Sequence, residues 1–367
     1  MKIIATKSDL LSAVNIVLKA VPAKTTMSIL ECILIDCSEG KITFVANDTE
    51  LGITTEIPGD VLQRGSICLE AKLFSEIIRK LPDSEVSIET DDNNRAMIRC
   101  EKAKFLLAGK DAGDFVLLPE IKRVDPIVIS EFTLKDTIRQ TIFSVSDNES
   151  NKIMTGLLFE VTEDQLKVVS LDGQRISMRK VALKESYEPV KVIVPGKTLS
   201  DVNKILNGDM DSDVRIYVTD SHMIFEFART VVVTRLIEGE YFAIDRMISS
   251  DFSTKVSVNK KELQNCIDRA SLFVKENERK PIIISITDGQ MEMKIQSAIG
   301  SMNEELDVVK EGRDLMIGFN PKFVMDALRV IDEEVVSIYM ANPKAPFTIR
   351  NEEQTYLYLI LPISFNV

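Results

Sequence analysis

Three stretches decide the fold: "SICLEAKLFSEIIRKL" (66–81), "KVIVPGKTLSDVNKIL" (191–206) and "LMIGFNPKFVMDALRVI" (315–331). Each opens on an apolar run of strand type, passes a short turn and continues with apolar residues at helical spacing. Their lysines, Lys72, Lys197 and Lys322, stand 125 residues apart in both intervals. Self-similarity at a fixed period means an architecture built by repetition, so the period is read before any single element is assigned.

Working outward, a first helical pattern opens each repeat, with apolar positions at i, i+4 and i+8. These are Leu10/Val14/Leu18, Leu134/Ile138/Ile142 and, more weakly, Leu263/Ile267/Ser271. Between the two helices lie alternating segments of strand type, "ILIDCSEGKITFVANDTEL", "LLFEVTEDQLKVVSLDGQRI" and "IIISITDGQMEMKIQSAI", in which Ile33, Leu157 and Ile282 correspond. A pair of short strands is expected after each second helix, as in "RIYVTDSHMIFEF" (215–227). The sequence therefore predicts an α+β domain made three times, each with two helices packed on antiparallel sheets. Pro126 and the polar "SSDFST" (249–254) mark the joints, giving domains at 1–124, 125–249 and 250–367.

The 367 residues are 45% hydrophobic and 28% charged, which suits a sizeable core and two or three domains. Lys plus Arg total 45 against 57 for Asp plus Glu, a formal charge of -12. Taken whole, that surface repels phosphate, so a nucleic-acid function requires its cations gathered on one surface. Five cysteines without a CxxC pair argue against metal ribbons and disulfide frameworks and fit a reducing cytoplasm. Charged residues interrupt the first twenty positions, and no apolar run reaches membrane-spanning length.

The second helices supply the segregation. Each carries another basic residue seven positions after its lysine: Arg79, Lys204 and Arg329. Seven residues turn the helix through about 700°, only about 20° short of two full turns, so each basic pair shares one face. The apolar sets Phe74/Ile77/Ile78/Leu81, Leu199/Val202/Leu206 and Val324/Ala327/Leu328/Ile331 fall on the opposite side and face a sheet. Cations are common on any solvated helix, but three pairs in one repeat phase within an acidic chain imply an anionic partner across all three helices. Contacts of this kind are sequence-independent and suit duplex DNA.

Catalytic constellations do not emerge. "VIVPGKT" (192–198) ends like a phosphate loop, but Lys191 stands where the first glycine belongs, leaving an ordinary turn into a helix. Asp209, Asp211 and Asp213 have calcium-loop spacing, yet Val214 and Asp220 occupy the positions that need Gly and Glu. His222 is the only histidine, and Cys266 beside Ile267 reads as core. Neither a metal nor any other cofactor is expected, and binding is favoured over catalysis. A metal-dependent hydrolase using the aspartates near 209–213 and a repeat scaffold for an acidic protein remain the alternatives.

"TTMSILECILIDC", "SLDGQRIS" and "YLYLILPI", in this order and with the threefold period, resemble the bacterial DNA polymerase III beta subunit family, the sliding clamps, over essentially the whole chain. The resemblance implies a non-catalytic homodimeric ring in the cytoplasm, encircling duplex DNA with its helices and tethering the replicative polymerase as a processivity factor. It adds Lys24 to the DNA-facing set of Lys72, Arg79, Lys197, Lys204, Lys322 and Arg329. It also implies a cleft that takes short hydrophobic peptides from the polymerase, the clamp-loader ATPase and repair proteins. The matching positions are Met154, Leu171, Gly173, Arg175, Ile176, Phe242, Arg246, Met247, Pro346, Leu359, Leu361, Pro362 and Ile363. Phe242 stands where some members have proline, and Ser364 where a basic residue often follows. Subunit contact is implied at Phe105 on one side and Leu272 with Phe273 on the other, although core packing is an equal reading of that pair.

Geometry supports two copies independently. Six helices side by side at about 8–10 Å spacing close a circle about 19 Å across their axes, leaving roughly 9 Å free. Duplex DNA needs roughly 20 Å. Twelve helices leave roughly 28 Å, so two chains suffice where one does not.

Overall fold

The computed structural model describes residues 1–117, 121–274 and 281–365. Repeat 1 runs β1 (Lys2–Thr6), α1 (Lys7–Val17), β2 (Cys32–Asp36), β3 (Ile42–Asn47), β4 (Leu51–Ile57), β5 (Asp60–Gln63) and β6 (Ser66–Glu70). It ends with α2 (Ala71–Lys80), β7 (Glu85–Thr90), β8 (Arg95–Cys100) and β9 (Ala103–Ala108). Repeat 2 is β10 (Ile127–Ser130), α3 (Glu131–Thr141), β11 (Gly156–Leu171), β12 (Arg175–Pro195), α4 (Gly196–Ile205), β13 (Asp213–Val218), β14 (His222–Phe227) and β15 (Thr230–Arg235). Repeat 3 opens with β16 (Thr254–Asn259), α5 (Lys260–Ser271), β17 (Ile282–Thr287), β18 (Gln290–Ser297) and β19 (Gly300–Gly312). It closes with β20 (Leu315–Phe319), α6 (Pro321–Val330), β21 (Val335–Met340), β22 (Phe347–Arg350) and β23 (Tyr356–Ile360).

The expected α+β repeat is present, with one correction. Three strands, not two, follow each second helix: β7 to β9, β13 to β15 and β21 to β23. The last of each set closes a sheet or joins two repeats, and alternation is weak in β9 and β23 although β15 alternates.

By contact, the chain forms two units, Met1–Leu134 with Asp201–Leu236, and Lys135–Ser200 with Ile237–Val367. The first holds a five-stranded sheet, β5-β1-β7-β8-β9, and an eight-stranded sheet, β10-β13-β14-β15-β4-β3-β2-β6. In the eight-stranded sheet β15 of repeat 2 pairs antiparallel with β4 of repeat 1, from Thr230↔Thr55 to Thr234↔Leu51. The second unit holds one ten-stranded sheet, in which β12 of repeat 2 pairs with β23 of repeat 3 from Arg175↔Ile360 to Arg179↔Tyr356. Repeat 2 thus lends strands to both sheets.

Helix placement follows from the apolar faces. Phe74, Ile77, Ile78, Leu199, Val202, Val324, Ala327 and Leu328 are all buried, as the pattern requires. Phe74 stacks on Phe44 of β3 with ring centroids 6.5 Å apart, fixing α2 over the sheet. Side chains start the helices where the sequence allows it: Glu70 accepts from the backbone N–H groups of Lys72 and Leu73, and Asn320 caps α6 ahead of Pro321.

All five cysteines are buried and unpaired. Burial pushes the Cys37 thiol up to about 11 and those of Cys68 and Cys266 up to about 12. Cys266 is core, as its sequence setting indicated. An unfolded thiol ionises near pH 8.5, so between there and pH 11 the unfolded state holds fewer protons than the folded one and stability falls as pH rises. The expected outcome is a declining urea midpoint above about pH 8.5, with native thiols inert to a disulfide reagent at pH 8 and all five reacting after denaturation. A thiol that labels rapidly in the native protein would contradict the assigned burial.

Candidate functional site

The basic side chains of the second helices stand outward. Lys72 and Arg79 on α2, Lys197 and Lys204 on α4, and Lys322 and Arg329 on α6 are all exposed, as is Lys24 in the loop after α1. The buried faces of the same helices leave the cations no other direction. Within the first unit, Arg79 and Lys204 line one groove of about 820 Å³, together with Ser12, Asn15, Lys19 and Arg229. Lys19 and Arg229 are additions that one-dimensional reading missed, because they follow helix or strand ends and join the others only in space. Asp9 and Glu56 also line the groove, so its charge is mixed.

The residues matched to a peptide cleft fall in the second unit and divide into three groups. Met154, Leu171, Ile176, Phe242 and Leu359 belong to one apolar cluster with Tyr241 and Ile244. Phe242 meets Tyr241 edge-on at 5.8 Å between centroids. Around this floor lie exposed side chains: Arg246 and Met247 close a short helical turn, and Met247 keeps 47% of its surface. Leu361, 40% exposed, is tied by its N–H to the carbonyl of Gln174 at 2.9 Å. That ties it to the β11–β12 turn, where Gly173 takes φ +87°, a conformation that favours glycine. Pro346, Pro362 and Ile363 are not members of the cluster; Ile363 bonds instead to the carbonyl of Gly318.

Arg175 forms the third group, since its guanidinium is spent inside the protein. Its Nε donates to Asp172 at 2.9 Å, Nη1 to Asp326 at 2.7 Å and Nη2 to the carbonyl of Phe143 at 2.6 Å. The group also lies over the Phe323 and Phe143 rings, at 4.5 and 5.5 Å. A fork held on two carboxylates, a carbonyl and two rings braces β12 against α6.

Of the matched contact residues, Phe105 lies on an open strand edge, and Leu272 and Phe273 follow α5, with Phe273 beside Gly300 of a second edge. β9 pairs with β8 alone among described strands and exposes Phe105 (37%) and Leu106 (57%) side by side. Residues 300–307 of β19 pair only with β18, while the remainder of that strand turns to β16. Near this edge Leu272 is 75% exposed and Ile299 60% exposed. Phe273 instead packs against the repeat 3 core, so of the two readings of the pair the structure divides them, with Leu272 outward and Phe273 half-buried. Leu106 and Ile299 were not singled out in the sequence; for Leu106 the available signal was its place directly after Phe105 in β9, whereas Ile299 sits in the turn between β18 and β19.

Catalytic alternatives find no support in the geometry. Asp209 accepts hydrogen bonds from the Asp211 N–H and the Ser212 hydroxyl, which hold its carboxyl below the usual carboxylate range in a self-contained turn. Among the described residues no group of three or more His, Cys, Asp or Glu could hold a metal ion, and no helix is long and apolar enough to cross a membrane. Gly196, the glycine of the loop-like motif, is buried against the Thr155 carbonyl and Val145.

A threefold repeat of helices over antiparallel sheets, with cations on matching helix faces, defines a clamp-type binding protein. The N-terminal, central and C-terminal domains of the DNA polymerase III beta subunit family match residues 1–119, 128–242 and 245–364. The beta sliding clamp of Staphylococcus epidermidis is 33% identical over 364 residues, 96% of each chain. Among solved structures, a DNA polymerase III beta subunit from Eubacterium rectale is 59% identical with a TM-score of 0.96, and the DNA polymerase sliding clamp of Bacillus subtilis is 34% identical, also at 0.96. Both alignments cover the whole of each chain. The chain belongs to the DNA polymerase III beta subunit family, and its function is that of a DNA sliding clamp, a non-catalytic processivity factor of DNA replication.

The Arg175 brace yields a direct expectation. Arg175→Ala leaves Asp172 and Asp326 without their shared cation and should destabilise the chain by about 3–5 kcal/mol, the usual cost of breaking a buried ion pair. Arg175→Lys, which keeps charge but loses the fork and the ring stacking, should fall between. Urea denaturation of both variants measures this; an alanine variant as stable as the parent would remove the brace.

Proposed function

We propose that two copies of this chain close into a cytoplasmic ring around duplex DNA, with domains 1–124, 125–249 and 250–367 from each copy. The observation that carries this reading is the same-phase pair of exposed cations on each second helix, in an otherwise acidic protein. Six such cations per chain, joined by Lys24, would meet phosphates without reading bases. Arg79, Lys204, Lys19 and Arg229 already share one groove, which fits a path for the phosphate backbone.

Closure is assigned to the two open edges. β9 with Phe105 in one copy would add to residues 300–307 of β19 in the other, near Leu272 and Phe273, extending one sheet into the next. A twofold axis makes two such contacts and leaves neither edge open. The replicative polymerase, the clamp loader and repair proteins would use the apolar floor of Met154, Leu171, Ile176, Phe242 and Leu359, reached between Gly173, Arg246, Met247, Pro346, Leu361, Pro362 and Ile363. Arg175 takes part by support.

Encirclement has a direct test. Rings loaded on nicked circular DNA should stay bound through gel filtration and leave when the circle is cut, whereas affinity for a short linear duplex should be weak and fall with salt. Equal retention on circle and linear fragment would overturn encirclement. For the cleft, Met247→Ala with Leu361→Ala should weaken binding of a labelled polymerase C-terminal peptide by about 2–4 kcal/mol, read by fluorescence polarisation. Unchanged affinity would place the peptide elsewhere.

A further inference from the structure

On each second helix the basic residue seven positions after the lysine has an acid three positions before it: Glu76 before Arg79, Asp201 before Lys204 and Asp326 before Arg329. The acids keep the 125-residue spacing of the cations. Residues three apart on a helix are neighbours, and all three pairs form. Arg79 Nη1 bonds the Glu76 carboxylate, Lys204 Nζ lies 3.1 Å from Asp201 Oδ1, and Arg329 Nη1 lies 3.8 Å from Asp326 Oδ1. The cation side chains remain 52%, 56% and 67% exposed, whereas those of Asp201 and Asp326 are only 12% and 16% exposed. The charges are therefore layered, with acid beneath and base outside in two repeats and both exposed in the first.

Pairs this exposed on the cationic side add little to fold stability, so their threefold recurrence calls for another consequence. A phosphate that meets Arg79 or Lys204 competes with a carboxylate already in place. The cation keeps its position but gives up only part of its charge to the partner, and fewer counterions are released per contact. We propose that Glu76, Asp201 and Asp326 are positioning residues that act as internal counter-charges, weakening each phosphate contact so that an enclosed duplex is held loosely enough to slide. This rests on the reading of the second helices as the DNA-facing surface. It sets how strongly that surface binds, which the cations alone would make tighter.

The test uses the full-length chain and a labelled linear duplex of about 30 base pairs, with anisotropy followed across a potassium chloride series. Asp326 is left intact because it also holds Arg175. Glu76→Gln together with Asp201→Asn should raise affinity by about three- to tenfold and steepen the salt dependence, and Glu76→Gln alone, at an exposed position, should show part of the effect. Glu39→Gln with Asp92→Asn removes the same charge from exposed connections between strands and should change neither quantity. Equal tightening by both double variants would reduce the effect to net charge and overturn the proposal. So would an unchanged salt slope in Glu76→Gln and in the double variant, while Lys72→Ala with Arg79→Ala still weakens binding. If Lys72→Ala with Arg79→Ala has no effect, the DNA-facing reading itself fails, and the proposal with it.

Discussion

Backbone pairing between strands of different repeats is the constraint on which the remaining features depend. β4 meets β15 in one sheet and β12 meets β23 in another, so neither junction can open without stripping a ladder of hydrogen bonds. At the first junction the Thr55 and Thr230 hydroxyls are buried and bonded at 2.8 Å, a polar contact that fixes register where two apolar strands could slip. Helices packed on such sheets cannot turn about their axes, because α1 rests on β3, β4 and α2, and α5 rests on α6 and its own strands. Cations on the outer faces of α2 and α6 are consequently held in direction by the core.

A clamp for DNA faces opposed electrostatic demands. Net charge of -12 keeps the surface at large from gathering nucleic acid, while a set of cations must still receive the enclosed duplex. On the reading proposed above the second helices meet both demands, since each devotes one face to the sheet and the other to basic residues. No residue needs to react. The buried thiols, the self-contained Asp209 turn and His222, bonded to its neighbour Ser221, all find structural uses.

The parts legible in the sequence were those with a period. Lys72, Lys197 and Lys322 reveal the repeat, and Phe74, Leu199 and Val324 identify the buried faces because a helix converts spacing into direction. The third strand after each second helix was missed. In β9, "AKFLLA" exposes Phe105 and Leu106 together, which hides the alternation that announces a strand. The bracing contacts of Arg175 were not legible because its partners Asp326 and Phe143 are remote in sequence. Glu76, Asp201 and Asp326 were legible at the same period as the cations, but sorting by positive charge alone passes over them. The cleft and subunit edges came from family resemblance, since neither has a local pattern of its own.

The central claim is that the open edges of β9 and β19 join two copies into one closed body. Sedimentation equilibrium at micromolar concentration measures it most directly. Two chains of 41.2 kDa give about 82 kDa, and Leu272→Ala with Phe273→Ala should shift that mass toward a single chain without loss of secondary structure. A parent protein that sediments at 41.2 kDa over the whole range would contradict the account.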